Sequence, residues 1–107
     1  MEALKETLKK IDDEVKANNI LLYMKGDRTM PRCGFSAQVV QILNSLQVEY
    51  ETRDVLADQN VREAVKQYSE WPTLPQLYVK GEFVGGCDIV TEMYQNGELQ
   101  DLVGIKS

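Results

Sequence analysis

Histidine is absent from the 107 residues, and that single absence removes Cys–His nucleophilic catalysis, the Ser–His–Asp arrangement and histidine-ligated metals together. Cysteine is nearly as scarce: the two present, Cys33 and Cys87, are too few for the disulfide framework of a small secreted chain. No apolar run approaches the roughly 20 residues that span a bilayer, and no stretch reads as a signal or transit peptide. No membrane association is expected, and a reducing compartment is implied: the cytoplasm, or a soluble reducing organelle compartment after processing. With 17 acidic residues against 12 basic ones and a formal charge of -5, a nucleic-acid surface is disfavoured. There is no internal repeat, low-complexity segment or linker, so residues 1–107 are expected to form one domain with a modest core.

What is present is organised around Tyr23 to Ser36. An apolar run, Ile20 to Met24, reads as a strand covered on both faces. A loop containing Gly26 and Pro31 then delivers Cys33 to the start of a helix whose apolar spacing begins at Ala37. At a helix N-terminus the free N–H groups and the positive end of the macrodipole favour thiolate over thiol. Lys25, Arg28 and Arg32 lie within a few residues and form a small basic patch. A free thiol pKa of about 8.5 falls by one to several units in such a setting. The plainer alternative is a small cysteine that only packs.

Residues 2 to 17 place Leu4, Leu8, Ile11 and Val15 at helical spacing, with a charged outer face. The helix opened by Cys33 continues through Val39, Val40, Ile42, Leu43 and Leu46. Val48 to Thr52 alternates as a half-buried strand does, which makes strand, helix and strand a right-handed parallel unit. Asp58 is placed to cap a third helix carrying Val61, Ala64, Val65 and Tyr68 inward, with Arg62 near its first turn. Trp71 to Pro75 breaks that helix. Gln76 to Val79, Lys80-Gly81 and Glu82 to Val84 read as a hairpin. Gly85-Gly86 leads into a helix from Cys87 to about Gln95, stopped by Asn96-Gly97, and a short last helix holds Leu99, Leu102 and Val103. The fold class is α/β, a four-stranded mixed sheet flanked by about five helices.

This order, with a cysteine opening the first crossover helix and a proline just before the hairpin, resembles the thioredoxin-like fold. Cys33-Gly34-Phe35-Ser36, preceded by Met24-Lys25-Gly26 and followed by Trp71-Pro72-Thr73-Leu74-Pro75-Gln76 and Gly85-Gly86-Cys87-Asp88, resembles the monothiol glutaredoxins of the CGFS type. The likeness runs from about Ile20 to Leu102. It implies that Lys25 and Arg62 bind the glycine-end carboxylate of glutathione, that Phe35 belongs to the binding surface, and that the Leu74 backbone pairs with the tripeptide beside a cis-Pro75. Cys87 and Asp88 would hold the γ-glutamyl end. The charges suit the ligand, which carries two carboxylates and one ammonium, and an extended peptide laid on a sheet edge is strand addition. The alternative is that Lys25 and Arg62 are ordinary surface charges and Asp88 an ordinary N-cap. A bulkier residue often stands in the family where this chain has Leu74, and the Asp27 to Met30 loop is variable.

A dithiol reductase needs a second thiol three residues on to expel a mixed disulfide, and Ser36 occupies that position. Cys87 is then either a slow resolving partner or a small packed residue. A [2Fe-2S] cluster takes four soft thiolates. The resemblance implies one Cys33 from each of two subunits and one thiolate from each of two glutathiones, in a homodimer that carries the cluster to apo iron–sulfur acceptors, with BolA-type proteins as further partners. The alternative is an enzyme in which Cys33 is the catalytic thiol and glutathione resolves its adduct, reducing protein–glutathione mixed disulfides.

Overall fold

A computed structural model describes residues 2–104, in the order α1 (Glu2–Ala17), β1 (Ile20–Met24), α2 (Gly34–Ser45), β2 (Glu51–Asp54), α3 (Gln59–Ser69), β3 (Gln76–Val79), β4 (Glu82–Gly85), α4 (Cys87–Asn96) and α5 (Glu98–Leu102). The sheet order is β2-β1-β3-β4. β1 runs parallel to β2 and antiparallel to β3, and β3 runs antiparallel to β4. This is the four-stranded mixed sheet of the thioredoxin-like fold.

All five residues of β1 are buried because alternate side chains point to opposite faces and both faces are covered. Ile20, Leu22 and Met24 pack with Val39, Leu43 and Val90 from α2 and α4. Leu21 and Tyr23 pack with Ile11, Val15 and Val65 from α1 and α3. Two polar ties fasten the second face: Glu14 of α1 accepts from Tyr23 at 3.1 Å and from Arg53 at 2.8 Å, and Asp12 accepts from Tyr68 at 2.7 Å. The Asp58 side chain accepts from the Asn60 N–H and caps α3 as its sequence position suggests.

The second strand departs from expectation. Pairing begins at Leu21 with Glu51 and ends at Met24 with Asp54, so the strand starts three residues later and ends two residues later than the alternating stretch Val48 to Thr52. The extent of an edge strand follows its partner, and β1 starts only at Ile20. Val48 and Tyr50 still enter the core, from an irregular segment that precedes the strand. The strand itself is charged, as edge strands commonly are. The remaining element limits differ from the sequence reading by a residue or two: α4 extends to Asn96, β4 takes in Gly85, and Val103 is the C-cap of α5.

Candidate functional site

The carboxyl end of β1 and the N-terminal ends of α2 and α4 converge on one groove of about 520 Å³. The turn out of β1 is possible only with glycine at residue 26. Its φ is +86°, and a Cβ there would meet the Met30 carbonyl at 2.5 Å and the Arg32 nitrogen at 2.7 Å. The chain then closes on itself through the Arg32 N–H, which donates to the Lys25 carbonyl at 2.8 Å. This loop sets Cys33 down as the extended N-cap of α2, with φ -152° and ψ 139°.

Cys33 is a free, half-buried cysteine. Its sulfur makes no full capping hydrogen bond, yet it faces unpaired N–H groups of the first turn. The Ser36 N–H is foremost in lowering its pKa below that of an ordinary thiol. Partial burial opposes this, while the Phe35 N–H, the Lys25 charge and the Ser36 hydroxyl add to it. Of the three bases near Cys33 in sequence, only Lys25 contributes to this effect and to the groove. Arg28 turns away: its guanidinium donates to the Tyr50 carbonyl and lies 4.4 Å from the centre of the Tyr50 ring. The basic patch is therefore smaller than the sequence implies.

Cys87 differs in every respect that governs reactivity. It is buried, and desolvation pushes its thiol pKa up, a tendency that Asp88 and Cys33 reinforce and a contact with Thr91 opposes. The two thiols lie on the same groove, one tuned toward the anion and one away from it.

The other residues singled out from the sequence gather here as well. Lys25, Phe35 and Arg62 line the groove, and so do Leu74 and Asp88. Phe35 is 61% exposed. Pro75 is not among the lining residues: its peptide bond with Leu74 is cis, and its carbonyl would stand 3.3 Å from a Cβ at Gly86. Asp88 sits in the first turn of α4, but the N-cap is Gly86, so Asp88 is not a capping residue and its carboxylate is left for other uses.

Sequence reasoning missed Lys66 altogether and did not show what Gly86, Ser36 and Trp71 meet in the folded chain. Lys66 lines the groove one helical turn after Arg62, and that i, i+4 spacing was the available signal. At Gly86 the approach is close: a Cβ would stand a tight 3.3 Å from both the Pro75 carbonyl and the Trp71 indole nitrogen. Ser36 is fully buried and its hydroxyl accepts the Lys25 N–H at 3.2 Å. Two donors, Arg62 Nε and Trp71 Nε1, are buried without a hydrogen-bond partner. A buried orphan donor is costly unless something accepts from it, and both residues border the groove.

A free cysteine at the N-cap of the first crossover helix, on one groove with the strap that leads to a cis-proline, is the arrangement of the thioredoxin-like fold. The glutaredoxin family profile matches residues 20–84. An uncharacterized monothiol glutaredoxin of Synechocystis is 57% identical over 100 residues, covering 94% of each chain. The solution structure of reduced poplar apo GrxS14 superposes with a TM-score of 0.78 at 48% identity, over 89% of this chain and 87% of that one. A buckwheat glutaredoxin–glutathione complex gives 0.86 at 25% identity, over 96% and 92%. The chain belongs to the glutaredoxin family, among its monothiol members. Among the described residues, no helix is long and apolar enough to cross a membrane.

Proposed function

We propose that this monothiol glutaredoxin binds glutathione in the groove and uses it, with Cys33, to carry a [2Fe-2S] cluster between proteins. The observation that carries the reading is a single anion-favoured thiol at the mouth of a groove with cations on its β1 and α3 sides and an acid on its α4 side. Arg62 Nε is an unpartnered buried donor suited to the glycine-end carboxylate, with Lys25 lining the same groove, while Asp88 suits the γ-glutamyl ammonium. Leu74 offers backbone to an extended peptide, next to Pro75. Phe35 covers one side and Cys87 contributes its main chain. The buckwheat relative, solved with glutathione, supports that ligand.

The cluster is cargo. Its iron requires soft thiolates, and among the described residues no group of three or more cysteine or acidic side chains is placed to hold a metal. Cys33 supplies one ligand in this reading, and the family resemblance implies the other three: a second subunit's Cys33 and the thiolates of two glutathiones. Half of that set is held noncovalently and all of it lies at an open groove, which favours release to apo iron–sulfur acceptors. BolA-type proteins are the other partners the family resemblance suggests.

A second reading rests on the same half-buried thiolate. Cys33 attacks the glutathione sulfur of a protein–glutathione mixed disulfide and expels the protein thiolate; a second glutathione thiolate then attacks the Cys33 adduct, forming glutathione disulfide and restoring Cys33. Anaerobic reconstitution with iron and sulfide, with and without glutathione, read by visible absorption and mass in solution, tests the first reading. A coloured species of two protomers only when glutathione is present is expected. Failure to form it, together with rapid turnover of a glutathionylated substrate, selects the second.

A further inference from the structure

Ser36 and Gln76 are the two buried polar side chains among the described residues, both at 0% exposure. Ser36 belongs to the thiol. Gln76, the first residue of β3, touches neither thiol nor groove, and a buried carboxamide is costly unless its hydrogen-bonding capacity is used. It is used almost completely. The amide nitrogen donates to the Trp71 carbonyl at 3.1 Å and to the Thr73 carbonyl at 3.2 Å. The amide oxygen accepts from the Tyr78 hydroxyl at 3.0 Å. Tyr78 is itself immobilised, with the rings of Tyr23, Tyr68 and Phe83 within 5.4 to 6.0 Å of its own.

These bonds determine which way the strap Trp71 to Leu74, one wall of the groove, presents its backbone. A trans peptide points its C=O and N–H in opposite directions. The Thr73–Leu74 bond is trans, the cis bond being the next one. With the Thr73 carbonyl turned inward to Gln76, the Leu74 N–H points outward, toward the groove. The Trp71 carbonyl is likewise turned inward, and Pro72 after it has no N–H to leave unpaired.

We propose that Gln76 is the positioning residue of the groove: its carboxamide, anchored by Tyr78, holds the strap so that the Leu74 N–H faces an extended peptide ligand. The inference rests on the reading of that ligand as glutathione. It assigns to Gln76 a role exercised through Leu74, without contact to ligand or thiol.

The test uses Gln76→Met, which keeps the side-chain length and removes both donors, and Tyr78→Phe, which removes only the anchoring hydroxyl. S-methylglutathione is the probe, since its thioether cannot form a disulfide with Cys33 and offers no thiolate to a cluster. In Gln76→Met the backbone order parameters of Thr73 and Leu74 should fall from about 0.85 to below about 0.6, and affinity for the probe should fall about tenfold or more. Tyr78→Phe should move both in the same direction by less, and it decides the matter if Gln76→Met does not fold. The pH profile of Cys33 alkylation should stay where it is in the wild type, whereas general loosening of the fold would move it. Wild-type order and affinity in the folded variants overturn the proposal, as does lost order with unchanged affinity or a shifted alkylation profile. If the wild-type protein itself does not bind the probe, the glutathione reading falls instead, and the order parameters still decide whether Gln76 holds the strap.

Discussion

The Asp54 carboxylate accepts the Gly26 N–H at 2.9 Å with the same oxygen that accepts the Leu56 N–H at 2.8 Å, so the last residue of β2 holds the turn that follows β1. That turn carries Lys25, whose own N–H is taken by Ser36 and whose carbonyl is taken by the Arg32 N–H. Lys25 is thus held from three sides. Asp54→Ala should cost about 1–3 kcal/mol by leaving two N–H donors unpaired and should weaken glutathione binding through Lys25. Asp54→Asn keeps an acceptor oxygen and should lose less of both. Urea unfolding alongside calorimetric titration separates the effects; an alanine variant with wild-type stability would show that water replaces the carboxylate.

Lys25 and Arg62 should act together on one carboxylate. Removing either by alanine substitution should weaken glutathione-dependent assembly by roughly 1–3 kcal/mol, as expected for a charged hydrogen-bond partner, and raising salt should reduce the wild-type advantage. Arg62→Lys should recover only part of the loss, because a lysine cannot reproduce the planar fork whose Nε is buried. The measurement is cluster yield and lifetime with glutathione, and with an uncharged thiol in its place. An unchanged lifetime in the double alanine variant would return both residues to the status of surface charges.

Ser36 both withholds a second thiol and accepts the Lys25 N–H. Ser36→Cys differs little in volume, so the fold should survive and dithiol turnover of a disulfide substrate should rise. A thiol is a weaker acceptor than a hydroxyl, so affinity for glutathione should fall at the same time. If turnover does not increase, groove shape rather than the missing thiol limits that reaction.

The periodic features were legible from residue spacing: five helices, a central strand buried on both faces, and the thiol at a helix start. Each of the four short motifs of the CGFS type also places at least one residue on a single groove, although Pro75 and Gln76 are not among those that line it. What spacing could not convey is where side chains go once the chain is folded. Arg28 is three residues before Pro31 and near Cys33 in sequence, but its guanidinium settles on Tyr50 across the loop. The alternative of Asp88 as an ordinary N-cap falls away only when the backbone shows that Gly86 holds that position. Gln76 reads only as the first residue of a hairpin strand. Only the fold supplies the Trp71 and Thr73 carbonyls that it binds.

The two thiols should titrate apart. Cys33 is lowered first by the Ser36 N–H and Cys87 is raised by burial, so iodoacetamide should label Cys33 at a pH where Cys87 is inert. A free thiol, at about 8.5, should fall between them. Because the folded pKa of Cys33 lies below its unfolded value, its contribution to stability is present above the unfolded pKa and is lost as pH falls through the folded one. Cys87 has the opposite sign: its contribution is complete below the unfolded pKa and is lost as pH rises toward the folded one. Unfolding free energies of Cys33→Ala and Cys87→Ala across pH 5 to 10, relative to wild type, should therefore slope in opposite directions. Parallel slopes would mean that both thiols share one environment.

Cluster content should separate the cysteines most sharply. Cys33 holds the thiolate that iron requires at a half-exposed helix N-terminus, and a serine in its place cannot ionise near neutral pH. Cys33→Ser should therefore abolish the bridging cluster and any reduction of glutathione mixed disulfides. Cys87 is buried with a raised pKa, and the part assigned to it belongs to its main chain, which a serine retains. Cys87→Ser should keep most of both activities. Iron and sulfide per protomer after identical anaerobic reconstitution, with circular dichroism to confirm folding, decide the question. Were folded Cys87→Ser to lose the cluster as completely as Cys33→Ser, Cys87 would itself be a ligand, and the arrangement of two protein and two glutathione thiolates would be wrong.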